Sequence, residues 1–307
     1  MKKIYIAGCG GMLGDAFYKV FKENYQLKCT DKDVNEDWIS FLDFRDFERY
    51  EKDVKDFNPD FLFHLGAHTD LEYCSDNPED AYLNNTIAVE KAVRIANGLR
   101  IPILYIGTAG IFDGQKERYD DWDQPNPVNV YGRSKYLGEK IIQSSAYDYL
   151  ICRAGWMVGG GPKKDKKYIN KIMNQIKNGS KELHVIDGCG GIPTYTYDFA
   201  RNVKLLIERG ERGLYNMVCK GENTDNRLAV TNELVKILGR EDEIKVVPVS
   251  EEFFKEEYYA KRPPAERLLN RKLELKKLNI MRPWQICLKE YIEENYKECI
   301  KNTNNRI

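Results

Sequence analysis

Short apolar runs alternate with longer helical patterns through the first half of the chain. A glycine-rich turn follows the first run, and the rhythm changes after Arg153. Together these predict an α/β fold: a Rossmann-like, doubly wound parallel sheet with a smaller, interleaved C-terminal lobe. Strands are expected at residues 4–7, 27–30, 61–65, 103–106 and 149–152, where the apolar runs are short and bounded by polar or glycine-containing segments. The intervening 3.6-residue periodicity predicts helices over 12–24, 81–97 and 134–144. Beyond Arg153, helical patterns recur at 168–177 and 197–209, and strands at 214–218 and 244–249. With neither an internal repeat nor a low-complexity linker, the two lobes are expected to interleave over one cleft. The polar end, 301–307, reads as frayed.

Composition narrows the function. At 307 residues with 42% hydrophobic side chains, the chain can bury a substantial core. Lys plus Arg equals Asp plus Glu at 48 each, which argues against a nucleic-acid binder or a polybasic membrane protein. No apolar run approaches the roughly 18 residues of a membrane span, and the start lacks a signal-peptide core. The eight cysteines have no Cys-x-x-Cys spacing and read as reduced thiols of a cytoplasmic protein. The three histidines, His64, His68 and His184, have no zinc-ligand spacing, so no metal site is expected. His64, inside an apolar strand, reads as a hydrogen-bonded core residue. The run Lys163, Lys164, Lys166 and Lys167, interrupted by Asp165, reads as a solvated loop.

Gly8-Cys9-Gly10-Gly11-Met12-Leu13-Gly14 lies between a strand and a helix, the context in which such glycines mark a dinucleotide site. Gly8 and Gly11 allow a tight turn and close approach of a pyrophosphate. Gly14 lets the helix pack on the sheet, and the helix N-terminus offers unpaired N–H groups to phosphates. Asp31, 23 residues after Gly8 at the end of the second strand, suits a ribose 2′-hydroxyl. A 2′-phosphate would meet like charge there, so NAD(H) is favoured and NADP(H), helped by Lys32, is the other form considered. Asp43, followed by Phe44, reads equally as an adenine-edge residue or a helix-start carboxylate. These motifs divide the chain into a dinucleotide-binding core, 1–155, and a mainly substrate-binding lobe, 156–307, with segments around 192–220 returning to the core.

Tyr131 and Lys135 share one helical face. A free phenol titrates near pH 10, so bringing it to neutrality means stabilising its anion by roughly 4 kcal/mol. One ammonium at about 4 Å supplies a comparable amount at an effective dielectric near 20. Lys135 is therefore expected to lower the Tyr131 pKa and to hold the nicotinamide ribose, while Thr108 orients the reacting oxygen. The chemistry expected is hydride transfer to a ketone with Tyr131 as proton donor.

The motif set of Gly8 to Gly14, Thr108 with Phe112-Asp113-Gly114, Pro125-Asn126-Pro127 before Tyr131 and Lys135, Arg153 to Trp156, Gly191-Ile192-Pro193-Thr194 and Arg262-Pro263 with Leu268, Asn270, Lys272 and Leu273 covers nearly the whole chain. In these residues the chain resembles the extended short-chain dehydrogenase/reductases, and within them the dTDP-4-dehydrorhamnose reductases. The resemblance implies reduction of a 4-keto group on a nucleotide-linked 6-deoxysugar by Thr108, Tyr131 and Lys135, and a homodimer. It also implies Gly66 and Ala67 along the cofactor, and His68, Asn85, Trp156 and Arg262 on the substrate. An Arg fork suits a diphosphate.

Two stretches depart from the pattern. Gly107-Thr108-Ala109-Gly110 stands where those reductases carry Ser-Thr-Asp-Tyr, and His68 replaces a Tyr. Ala109 and Gly110 also lack the Asp-Glu that follows this Thr in nucleotide-sugar 4,6-dehydratases, which disfavours dehydration. The rival expectations are a nucleotide-sugar epimerase with retained NAD and a non-catalytic NAD(P)-binding regulatory subunit.

Overall fold

The computed structural model describes residues 1–301; of the tail read as frayed, residues 302–307 lie outside the described residues. Seven parallel strands form the central sheet. In chain order the first six are β1 (Lys3–Ala7), β2 (Gln26–Asp31), β3 (Ile39–Phe41), β4 (Phe61–His64), β5 (Ile103–Thr108) and β6 (Tyr149–Ala154). The seventh, Gly213–Asn216, comes from the C-terminal half and pairs with β6, so the sheet runs from it through β6, β5, β4, β1 and β2 to β3. Chain order reverses between β1 and β4, which opens a crevice beyond their carboxyl ends.

The strands carry near-continuous apolar runs because helices cover both sheet faces. On one face Phe17 and Phe21 of helix Met12–Phe21 pack edge-on against Phe63. On the other, Tyr5, Leu62, Ile103 and Ile151 meet Val89, Ala92 and Val93 of helix Ala88–Leu99. Short parallel pairs build the second lobe: Trp156–Val158 with Pro193–Tyr195, Glu182–Ile186 with Lys245–Val249, and Ala265–Glu266 with Gly190–Gly191.

The sequence patterns leave β3, strand Glu182–Ile186 and helices Arg227–Ile237 and Trp284–Asn295 unmarked, and two further elements differ from expectation. Helix Phe47–Phe57 is too polar to signal itself, yet Tyr50 and Val54 are buried, and the Asp46 side chain caps it by accepting from Arg49 N. The helix expected over 81–97 starts at Pro78 and contains a π-helical turn, Leu83–Ile87, before Ala88. The wider turn carries Asn84, which lines the cleft, and Asn85, which is buried beneath His68. No helix among the described residues is long and apolar enough to cross a membrane.

Candidate functional site

A cleft of about 530 Å³ runs along the carboxyl ends of β1, β2, β4 and β5. Gly8, Gly11, Met12, Leu13, Asp31, Asp43, Phe44, Gly66 and Ala67 line one end, and Thr108, Tyr131, Lys135 and His68 line the other. Gly8 needs its glycine: its φ is +90°, and a Cβ would stand 2.3 Å from Gly66 N. Gly14 does not border the cleft but lets the helix sit on the turn, since a Cβ there would lie 2.2 Å from the Cys9 carbonyl oxygen.

The geometry suits a dinucleotide phosphate. Gly11 opens onto free space, with nothing within 4 Å of a Cβ position, and helix Met12–Phe21 has no side-chain cap. Its first-turn N–H groups therefore face the cleft with the positive end of the helix dipole. Asp31 accepts from Gly10 N at 2.9 Å and Asp33 N at 2.8 Å, so one carboxylate braces the turn it borders. Burial pushes its carboxyl up against these two N–H bonds. Asp43 is not the cap of the next helix. Arg45 grips it through Nε at 3.0 Å and holds it below the usual carboxylate range.

The lysine run is only in part the solvated loop expected: Lys163 and Lys166 are exposed, but Lys164 is buried. Lys163, Lys164, Lys166 and Lys167 all line the cleft. The Lys164 side chain is 2% exposed; its ammonium lies 3.4 Å from Glu36 and 3.9 Å from Asp15 and finds no hydrogen bond. The segment crosses the glycine turn so tightly that a Cβ on Gly160 would come within 2.8 Å of Met12 Cα. Lys163 bonds the Asn35 carbonyl, and Lys167 reaches the Thr69 carbonyl at 2.9 Å. This strap brings together segments over 90 residues apart in sequence, beyond the reach of any local motif.

At the other end, Asn129 caps helix Val130–Ser145 by accepting from Gly132 N at 2.7 Å, while its amide donates to Lys261 O at 2.8 Å. Tyr131 occupies the first turn and shares the cleft wall with Thr108. The expected lowering of the Tyr131 pKa is not found. Burial raises it, and the opposing influence is the Thr108 hydroxyl rather than Lys135. Lys135 is itself perturbed: burial lowers its pKa to about 7, against the pull of Glu139. Its Nζ lies over the Tyr105 ring, 4.1 Å from the centroid. Desolvation outweighs the charge pair, so the site favours the neutral phenol of Tyr131 over the phenolate.

Three expected substrate residues have other partners. Asn85 is fully buried; it accepts from His68 N at 2.8 Å, donates to His68 O at 2.9 Å and to Ser134 Oγ at 3.0 Å. With its amide consumed, it positions His68 and the Tyr131 helix. Arg262 clasps Glu72 at 2.8 and 3.0 Å and Ala260 O at 2.9 Å, which occupies the fork expected for a diphosphate. Trp156 does not line this cleft; it donates from Nε1 to Glu266 at 2.8 Å. Arg227 stacks on Trp156 and Tyr168, at 5.2 and 4.7 Å, and no ion pair engages its guanidinium among the described residues. His68 borders the cleft with Nε2 2.7 Å from Asp80. His64 is buried, 3.3 Å from the Tyr50 hydroxyl, and burial lowers its pKa to about 3.

The model of the family described as RmlD substrate binding domain matches residues 1–297. The chain belongs to that family. Among curated relatives, the β subunit of methionine adenosyltransferase 2 of Xenopus tropicalis is 27% identical over 68% of this chain, which spans 63% of that subunit. The dTDP-4-dehydrorhamnose reductase of Escherichia coli is 27% identical over 82% of this chain and 85% of its own length. Two solved structures superpose with a TM-score of 0.85. One, a dTDP-4-dehydrorhamnose reductase from Clostridium acetobutylicum, is 30% identical, over 95% of this chain and 99% of that one. The other, from Bacillus anthracis in complex with NADP, is 25% identical, over 96% and 100%. Gly8, Gly10, Gly11, Met12, Leu13, Thr108, Tyr131 and Lys135 thus sit in a family fold whose cleft they line.

Proposed function

We propose that this family member is an NAD(P)H-dependent reductase of a nucleotide-linked 4-keto-6-deoxysugar. The observation that carries the reading is the placement of Tyr131, Thr108 and the uncapped helix N-terminus along one cleft. Gly11, Met12 and Leu13 would hold the diphosphate, Asp31 the adenosine ribose, Phe44, Gly66 and Ala67 the adenine side, and Lys135 the nicotinamide ribose. When bound, the reduced nicotinamide supplies the hydride.

The protein's own part is proton handling. The Tyr131 hydroxyl, kept neutral by burial, donates its proton to the carbonyl oxygen as negative charge develops there. Thr108 Oγ1 donates a second hydrogen bond to that oxygen and fixes its direction. Lys135 lines the same cleft, and burial lowers its pKa to about 7, so its ammonium loses a proton readily at neutral pH.

For the cofactor, NADH is favoured because the fixed Asp31 carboxylate borders the cleft where a 2′-phosphate would sit. The cations Lys32, Lys163 and Lys164 oppose it, so the preference should stay within about tenfold. Location in the cytoplasm and a homodimer complete the proposal; light scattering tests the latter.

A panel of dTDP-, GDP-, UDP- and CDP-linked 4-keto-6-deoxysugars assayed with NADH and NADPH tests the reading. Stoichiometric cofactor oxidation with reduction of one sugar is expected. Sugar inversion without net oxidation would make the protein an epimerase, and cofactor binding without turnover on any sugar a regulatory subunit.

A further inference from the structure

Glu266 belongs to none of the motifs that mark the site, yet it is built into the reaction centre. Its backbone is fixed from both sides: Ala265–Glu266 pairs with Gly190–Gly191, Gly190 N donates to Pro264 O at 2.9 Å, and Tyr119 N donates to Arg267 O at 2.9 Å. Its carboxyl is fixed as well, since Trp156 Nε1 donates to Oε2 at 2.8 Å. The other oxygen faces Gly110. A Cβ on that glycine would stand 3.4 Å from Glu266 Oε1, 3.4 Å from Tyr131 Cε1 and 3.5 Å from Thr108 Oγ1. One small space beside Gly110 is therefore bounded by the proposed proton donor, its hydroxyl partner and a carboxyl oxygen.

Oε1 takes no hydrogen bond among the described residues, and Glu266 remains partly open to solvent although it is densely surrounded. Glu266 therefore stands beside Tyr131 and Thr108, which line the cleft, and not in a core ion pair. Burial raises its carboxyl pKa against the Trp156 bond and the charges of Arg227 and Arg262. A polar atom left unpaired in such a place gains from a partner and penalises a ligand that cannot supply one.

We propose that Glu266 Oε1 is a specificity determinant that hydrogen-bonds a sugar hydroxyl adjacent to the carbonyl addressed by Thr108 and Tyr131. This rests on the reductase reading above. Gly110 leaves the room, Trp156 sets the carboxyl's rotation, and the paired strand fixes its reach. Sugars lacking that hydroxyl leave Oε1 desolvated and bare, and are rejected.

The test compares the unmodified protein with Glu266→Ala and Glu266→Gln on a dTDP-linked 4-keto-6-deoxysugar and on its analogue lacking the hydroxyl next to the ketone. The unmodified protein should favour the hydroxylated sugar in kcat/KM by about 10- to 100-fold. Glu266→Ala should bring the ratio within about twofold while NADH affinity stays unchanged. Glu266→Gln keeps an oxygen for Trp156 and covers the case in which Ala impairs folding; it should lower the ratio too. A ratio that survives both substitutions overturns the proposal, because a purely structural role moves both sugars together. If the unmodified protein binds NADH but reduces neither sugar, the reductase reading fails separately. Calorimetry with dTDP-rhamnose against dTDP then decides Glu266 alone: the extra affinity from the sugar should fall about tenfold in Glu266→Ala, and its persistence overturns the proposal.

Discussion

At the dinucleotide end of the cleft the wall is mostly main chain. Gly8 meets Gly66, Gly11 is open, and the helix N–H groups face inward. At the sugar end the wall is side chains drawn from distant segments: His68 after β4, Thr108 at the end of β5 and Tyr131 in a capped helix, with Glu266 of the second lobe beside them. The first kind of surface recognises what all dinucleotides share. The second can be changed one side chain at a time without disturbing the turn that holds the cofactor. Substrate choice should therefore reside where the sequence is least local.

Tyr131→Phe is the sharpest way to break that comparison. It removes the proton donor and leaves the turn untouched, so kcat should fall about 10²- to 10⁴-fold with NADH affinity within twofold. Near-normal turnover in stopped-flow assays would remove Tyr131 from the chemistry.

Lys135→Met separates function from stability. A lysine whose pKa falls from 10.5 to about 7 on folding carries a cost that is full below pH 7, where the folded protein must bury the charge. Between pH 7 and the ordinary lysine value the unfolded chain holds the extra proton, so stability rises with pH across that window. The variant should lose activity yet be more stable than the unmodified protein at pH 6, by a few kcal/mol, with the gain shrinking by pH 10. Denaturant titrations at the two pH values check this; equal or lower stability at pH 6 would mean the ammonium is better solvated than its 5% exposure suggests.

Asn85→Ala should act on stability and on the sugar end together. It strands the His68 N–H and carbonyl and the Ser134 hydroxyl, costing about 2 kcal/mol of stability. Because His68 lines the cleft, KM for the keto-sugar should rise several-fold while NADH affinity holds. Equal losses for sugar and cofactor would show that Asn85 supports the whole cleft.

How much of this was legible in the sequence follows the same division. Gly8 to Gly14, Asp31 and the Tyr131–Lys135 pair are local patterns whose spacing carries their geometry, and all border or shape the cleft. Every central strand but β3, and helices Met12–Phe21, Ala88–Leu99, Val130–Ser145, Tyr168–Lys177 and Thr196–Glu208, were legible for the same reason. Helix Phe47–Phe57 was not, because its mostly polar composition masks the face on which it buries Tyr50 and Val54. The π-helical turn was hidden by the seeming continuity of the helix around it. Glu266, Arg227 and the lysine strap depend on which loops fold back over the sheet, and no spacing encodes that. The sign of the Tyr131 shift was missed because desolvation is a property of the packed site, whereas the Tyr–Lys charge pair is visible in one dimension.

The smallest effect is expected at Lys164, on the strap that crosses the glycine turn. Its ammonium is buried, lines the cleft and makes no hydrogen bond, while Glu36 and Asp15 at 3.4 and 3.9 Å already offset much of its charge. What remains is a modest attraction for a phosphate, felt more strongly by NADPH with its additional phosphate than by NADH. Lys164→Met should weaken NADPH binding by about five- to tenfold and NADH binding by about twofold or less, measured by fluorescence titration. Raising the salt should shrink the difference only slightly, because the charge is shielded from solvent. An equal loss for both cofactors would assign Lys164 to the shared diphosphate. No loss for either would make the strap a brace for the loop after β2, and leave phosphate recognition to the helix N-terminus.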